Sequence, residues 1–119
     1  MNNITILICD KLGWTISEIN GADVVYDAND NFICDNPDFR TSPQLAKLLQ
    51  AKMVEDGWRI IIEQYSPDKF RAIAWQEIWE GKVFITQIEH QTKIIPTEQL
   101  AIVALFCKIY GIENEKTQS

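Results

Sequence analysis

Between Leu12 and Phe39 the chain contains no lysine and no arginine, although six acids fall there: Glu18, Asp23, Asp27, Asp30, Asp35 and Asp38. The remaining residues carry eleven acids and eleven bases, so the formal net charge of −6 belongs entirely to this quarter of the chain. Such a field repels nucleic-acid phosphates and attracts cations or basic proteins, so direct nucleic-acid binding is not expected. The plain alternative is a solvated loop kept soluble by its charge. Other absences narrow the function further. His90 is the single histidine, and the three cysteines (Cys9, Cys34, Cys107) are odd in number and widely spaced. That excludes a His-rich metal site, a zinc motif and a disulfide framework. Cys9 and Cys107 sit inside apolar runs, where a thiol behaves as a small hydrophobe. No Gly-rich phosphate loop, GxSxG or Cys-x-x-Cys occurs. The longest apolar runs, Ile6–Ile8 with Cys9 and Leu100–Cys107, fall far short of the roughly 20 residues that span a bilayer. No basic residue precedes the first apolar run in MNNITILICD. A secretory signal is therefore not expected, and the cytoplasm is the expected compartment.

What remains is ordinary for a folded protein. With 119 residues, 46% of them hydrophobic and 24% charged, the chain is the size of one domain. A chain this long buries roughly two-thirds of its unfolded surface without staples. Thr41-Ser42-Pro43-Gln44 offers a capping side chain followed by proline at the first helical position. Leu45, Leu48, Leu49 and Met53 then recur at helical spacing, and Gly57 is a stop, which predicts a helix over 43–56. After Gly57 the period becomes two. Trp58–Tyr65, Phe70–Trp79 and Val83–His90 read as a three-stranded meander with turns at Ser66–Lys69 and Glu80-Gly81. Those turn lengths pair Ile62 with Ile73 and Trp75 with Thr86. They collect Trp58, Ile60, Ile62, Ile73, Trp75, Phe84 and Ile88 on one core face. The other face, with Ile61, Ala72, Ala74, Ile78, Val83 and Ile85, is too apolar for water alone and should be covered by a second layer or another subunit. A last helix begins at Pro96-Thr97-Glu98 and ends before Gly111. Its centre, LAIVALFC, is apolar all round, as in a buried helix. A polar tail follows from 113 to 119.

Two stretches leave alternatives open. Ile4-Thr5-Ile6-Leu7-Ile8 is β-branched and slightly favours a strand, yet Ile4, Leu7, Ile8 and Leu12 also fall at helical spacing before Gly13. Val24–Tyr26 and Phe32–Cys34 suit a short hairpin around Asn29-Asp30-Asn31. Within YDANDNFICDNPDF, the residues Asp27, Asn29 and Asn31 match the first ligands of a helix–loop–helix calcium loop. However, Phe32 replaces the required glycine, Asp38 is shorter than the closing glutamate, and no helix precedes the loop. Turn chemistry explains the stretch without a metal.

The order of these motifs resembles a known family. Gly13-Trp14 closes the N-terminal segment, and Pro37-Asp38-Phe39 with Thr41 precedes the first clear helix. Gly57-Trp58 ends that helix, the meander follows, and IPTEQLAIVALFCKIYG forms the last element. This pattern is similar to the phage ABA sandwich domain family of small phage and prophage proteins, over roughly residues 1–112. The family has Asp-Ile where this chain has Pro43-Gln44, and a small residue early in the last helix where Thr97-Glu98-Gln99 stands. The resemblance implies an α+β, three-layer α/β/α sandwich around the meander, with N-terminal, middle and C-terminal helices. It thus makes the first segment a helix and supplies a second layer over the rear of the sheet. It brings no catalytic residues and no cofactor.

Sequence and resemblance together lead to an expectation of binding rather than catalysis. The candidate contact residues are Asp23, Asp27, Asp30, Asp35 and Asp38, facing a basic host or phage protein, together with Trp79, which sits at a hairpin end where tryptophan suits an interface. The alternative is a small-ligand or nucleotide-binding module, perhaps at the interface of a homo-oligomer near Trp79. No membrane contact is expected.

Overall fold

The computed structural model describes residues 3–112; the expected polar tail over 113–119 lies outside the described residues. Nine elements follow in order: α1 (Asn3–Leu12), β1 (Thr15–Ile19), β2 (Ala22–Tyr26), β3 (Phe32–Asp35), α2 (Pro43–Glu55), β4 (Arg59–Ser66), β5 (Lys69–Glu80), β6 (Val83–Gln91) and α3 (Glu98–Tyr110). The fold is α+β, with three helices and two three-stranded antiparallel sheets, β1-β2-β3 and β4-β5-β6.

The first segment is a helix, against its β-branched composition. Ile4, Thr5, Ile8 and Cys9 are buried, a stripe that only helical spacing produces. Burial of that stripe outweighs the small intrinsic preference of isoleucine and threonine for strands. Trp14 N–H then closes on the Cys9 carbonyl, and the Trp14 ring stacks on Phe39 at 6.1 Å. The stretch after it holds a full three-stranded sheet rather than one short hairpin. Asn20 (φ 53°) and Gly21 (φ 80°) form the reversal between β1 and β2, a two-residue turn that needs positive φ at both positions. The expected pairing of β2 with β3 is present, with a register shift between Val25 and Tyr26.

Both later helices begin as their capping residues dictate. Ser42 Oγ accepts from Leu45 N–H at 3.2 Å, with Pro43 at the start of α2. Thr97 Oγ1 accepts from Leu100 N–H at 3.2 Å at the start of α3, and Gly111 closes it in the left-handed region at φ 68°. Leu45, Ala46, Leu49 and Met53 are buried in α2, while Leu48 is left exposed. The C-terminal ends of the two helices are tied together. Tyr110 donates its hydroxyl proton to Asp56, which Lys52 also approaches at 3.2 Å.

In the meander the strands stand where the period-two pattern puts them, but their register differs, and the difference exchanges the faces. Ser66 pairs with Lys69, and a bulge between Gln64 and Ser66 then shifts the ladder by one residue. Ile62 therefore opposes Ala72 instead of Ile73, and Ile60 opposes Ala74 instead of Trp75. On the other side the turn lies at Gly81-Lys82 with Glu80 opposite Val83. A second bulge, between Ile78 and Trp79, puts Trp75 opposite Glu89 instead of Thr86. Trp58 and Trp75 consequently point to opposite sides of the sheet, because Trp75 is the cross-strand partner of Arg59. The packed face carries Ile60, Ile62, Ala72 and Ala74, and both alanines are fully buried. α3 crosses this face, with Ala101, Ile102, Val103, Leu105, Phe106 and Cys107 buried. Ile73 and Trp75, expected in the core, lie on the other face with Ile61, which is 48% exposed. Phe84 and Ile88, also expected in the core, are 48% and 41% exposed.

The buried face and the tie between the helix ends can each be tested. Ala74→Leu should overpack the α3 contact and lower stability by about 2 kcal/mol in urea unfolding, whereas Ile61→Thr on the open face should change it by about 0.5 kcal/mol or less. The opposite ranking would restore the register expected from turn lengths. The second concerns Asp56, whose pKa is held below the ordinary aspartate value, first by the Tyr110 hydroxyl and then by Lys52. Its contribution is present above the unfolded pKa and fades as pH falls through the folded one. Tyr110→Phe should therefore cost about 1 kcal/mol at neutral pH, and the gap from wild type should shrink below the ordinary carboxylate range.

Candidate functional site

The residues singled out in the acidic stretch do not form one patch. Asp23 and Asp35 come together at the end of the first sheet where β1 turns into β2. Asp23 is the cross-strand partner of Glu18, and Val24 of Asp35. Glu18 and Asp23 are like charges directly opposite each other, an arrangement that destabilises a strand pair. Asn36 fastens this end through its side-chain oxygen, which accepts from Asp23 N–H at 3.2 Å, and through its own N–H on the Asp23 carbonyl at 2.6 Å. Among the described residues no ion pair reaches Glu18, Asp23 or Asp35.

Asp27 and Asp30 lie at the opposite end of the sheet, in the turn between β2 and β3. Asp27 is occupied with its own loop. Its carboxylate accepts from Asn29 N–H at 2.8 Å, Asn31 N–H at 2.9 Å and the Asn31 side-chain amide at 3.3 Å. Those donors, the Asn31 backbone N–H foremost, lower its pKa below the ordinary aspartate value. Asp30 takes the left-handed conformation at φ 62° that closes the turn. The oxygen spacing that resembles a calcium loop is thus the spacing of a side-chain-closed turn. Asp38 lines the same cleft as Asp35 but is paired within its own loop. It accepts from Arg40 N–H at 3.1 Å and pairs with the Arg40 guanidinium at 3.4 Å, so its charge is offset locally.

A shallow cleft of about 250 Å³ runs between β3 and the start of α2, lined by Cys34, Asp35, Asp38, Thr41 and Ser42 among others. Small-ligand pockets are usually about 300–1,000 Å³ and mostly enclosed by apolar walls. The thiols do not suggest chemistry either: burial pushes both Cys9 and Cys107 up to about 11, far from a thiolate at neutral pH.

Trp79 stands on the second sheet, away from all of these. Its Nε1–H donates to Glu77 at 3.0 Å and its ring meets Phe84 edge-on at 5.3 Å. It belongs to a feature that sequence reasoning missed. β4 has 8 residues and β5 has 12, and the pairing of β4 with β5 ends at Arg59–Trp75. Beyond that point β5 and β6 continue as a two-stranded arm through five cross-strand pairs, from Gln76–Ile88 to Glu80–Val83. The root is anchored, because the Gln76 side-chain amide donates to the Asp56 carbonyl at 2.8 Å. Gly57 permits that approach: a Cβ there would meet Gln76 Nε2 at 3.1 Å, and its φ of +93° suits glycine alone. Ile78, Trp79, Val83, Phe84, Ile85 and Ile88 on the arm are all large and exposed. The unequal lengths of the expected strands were the available signal.

No family model, curated protein or solved structure matches this chain. Among the described residues no helix is long and apolar enough to cross a membrane.

The turn geometry carries its own test. In Asp27→Ala the amides of Asn29 and Asn31 lose their acceptor, so hydrogen exchange at both should quicken in NMR spectra while exchange in α3 stays unchanged. In the wild-type protein the Asp27 carboxyl should titrate below the ordinary aspartate value.

Proposed function

We propose that the chain acts by binding a protein rather than by catalysis, and that its partner presents a basic surface to the Glu18, Asp23 and Asp35 end of the first sheet. The observation that carries this reading is the cross-strand pairing of Glu18 with Asp23, two like charges without a cationic partner among the described residues. A lysine or arginine supplied by another protein relieves that repulsion, so binding gains from an arrangement that costs the free protein stability. The resemblance drawn from the sequence supplies the setting, an accessory protein of a phage or prophage meeting a basic host or phage protein in the host cytoplasm. A three-layer α/β/α sandwich, which the same resemblance implies, would need a further cover over the meander face that carries Ile61, Ile73 and Trp75. A small-ligand or nucleotide-binding role has less support, since it rests on a cleft of about 250 Å³ that is open and partly polar.

The test is a pull-down from bacterial lysate with tagged wild-type protein and with the triple variant Glu18→Gln, Asp23→Asn, Asp35→Asn. A basic protein retained by wild type at low salt should be released at high salt and lost from the variant. Equal retention by both proteins, or capture of nothing basic, would remove this reading. Asp27→Asn should leave capture unchanged, because that carboxylate serves its own turn.

A further inference from the structure

The turn between β1 and β2 holds the reactants for a chemical change that needs no partner and no cofactor. Asn20 is the only asparagine in the chain that precedes a glycine. An asparagine side chain is open to attack at its carbonyl carbon by the backbone nitrogen of the next residue, and glycine, without a Cβ, hinders that approach least. Both residues are exposed, and a Cβ at Gly21 would meet nothing within 4 Å. Among the described residues the Asn20 side-chain amide has no hydrogen-bond partner. We infer that Asn20-Gly21 is a site of spontaneous deamidation in the folded protein, opened to the reaction by the like charges of Glu18 and Asp23 beside it.

The reaction balances with water alone. The Gly21 nitrogen gives its proton to solvent base and bonds to the Asn20 side-chain carbonyl carbon. The bond from that carbon to the side-chain nitrogen breaks, and ammonia leaves a five-membered succinimide. Water then opens the ring at either carbonyl, giving aspartate or isoaspartate. One water enters, one ammonia departs, and nothing is oxidised or reduced.

The neighbouring asparagines are protected. Asn36 precedes Pro37, whose nitrogen carries no proton. The Asn31 amide is held by Asp27, and the bulky Phe32 follows it. Asn29 precedes Asp30, which has a Cβ and a charge of its own.

The closed turn fixes Asn20 at φ 53° and Gly21 at φ 80°, so it must open before the ring can form. The surroundings favour that opening. β1 is an outer strand and pairs with β2 alone, whereas β2 is tied on its other side to β3 and by Asn36. Ile19, which pairs with Ala22 to close the turn, is 45% exposed, and the next pair inward is Glu18 with Asp23. Repulsion there weakens the end of the ladder, and exposed ends open at small cost.

The product alters the surface on which it forms. Either ring opening adds a carboxylate beside Glu18 and Asp23. The isoaspartate form also lengthens the main chain by one carbon, which a two-residue loop absorbs only by disturbing the Ile19–Ala22 pair. The anionic end thus becomes more anionic, and its hairpin looser, as the protein ages. The change needs no partner, so it stands or falls separately from the binding role.

The test ages purified protein at mildly alkaline pH, folded in buffer and, in parallel, unfolded in guanidinium chloride. Mass spectrometry then fragments the tryptic peptide from Leu12 to Arg40, which contains Asn20, Asn29, Asn31 and Asn36. In the folded protein position 20 should convert to aspartate and isoaspartate, separable by chromatography, while the other three keep their amides. Glu18→Gln should lower the ratio of folded to unfolded rates about twofold. An amide at position 20 that survives in the folded protein while it is lost from the unfolded chain overturns the inference. Earlier conversion of another asparagine does so too, as does a rate ratio that Glu18→Gln leaves unchanged.

Discussion

The close approach of α3 to the middle strand of the meander is the constraint on which the rest of the molecule depends. It is possible because β5 presents Ala72 and Ala74, both fully buried, where larger side chains would hold the helix away. The bulge after Gln64 places those alanines beside Ile60 and Ile62 on one face. Once that face is chosen, Ile73 and Trp75 must turn outward, since side chains alternate along a strand. The outward face is then tolerable because it is interleaved with charge. Glu63 accepts from Arg71 at 2.7 Å and from the Tyr65 hydroxyl at 2.7 Å, and Arg59 reaches Glu77 at 3.6 Å beside Trp75. These solvent-accessible pairs, half-buried at Glu63 and Arg71, add little stability and serve mainly to keep the face wet.

The same choice isolates the two unusual surfaces from each other. The helix cover lies over the part of the meander where all three strands are present, and β5 and β6 outrun it. The apolar arm is the consequence of that overrun. The anionic residues, by contrast, sit on a small sheet that packs through Val25, which is fully buried, with Ile16 and Cys34, its partners across the two ladders. Charge repulsion at Glu18 and Asp23 is affordable there because the Asn20-Gly21 turn and the β1–β2 ladder hold the two strands together, while Asn36 ties β2 to the end of β3. One surface is suited to a charged partner and the other to an apolar one.

Local signals in the sequence were sufficient for several elements. Ser42-Pro43 and Thr97 mark helix starts through short-range hydrogen bonds that need no distant contact. Asn29-Asp30-Asn31 marks a turn for the same reason, and so does Asn20-Gly21, whose pairing of positive-φ residues announces the reversal between β1 and β2. The acidic stretch was visible as composition, yet its division into two ends and a loop was not. Asp38 reads as one more free carboxylate until its Arg40 partner is placed.

What the sequence determined by itself is therefore the kind of element at most positions, the turns between them and the sign of the charge in the first third. Each of these depends on residues a few positions apart. Tertiary structure alone decided that the β-branched first segment is a helix and which side of the meander is buried. It also decided which acids stand together. The reason is physical: a bulge of one residue costs little locally but reverses every side chain beyond it, and only the packing of α3 against Ala72 and Ala74 selects between the two outcomes.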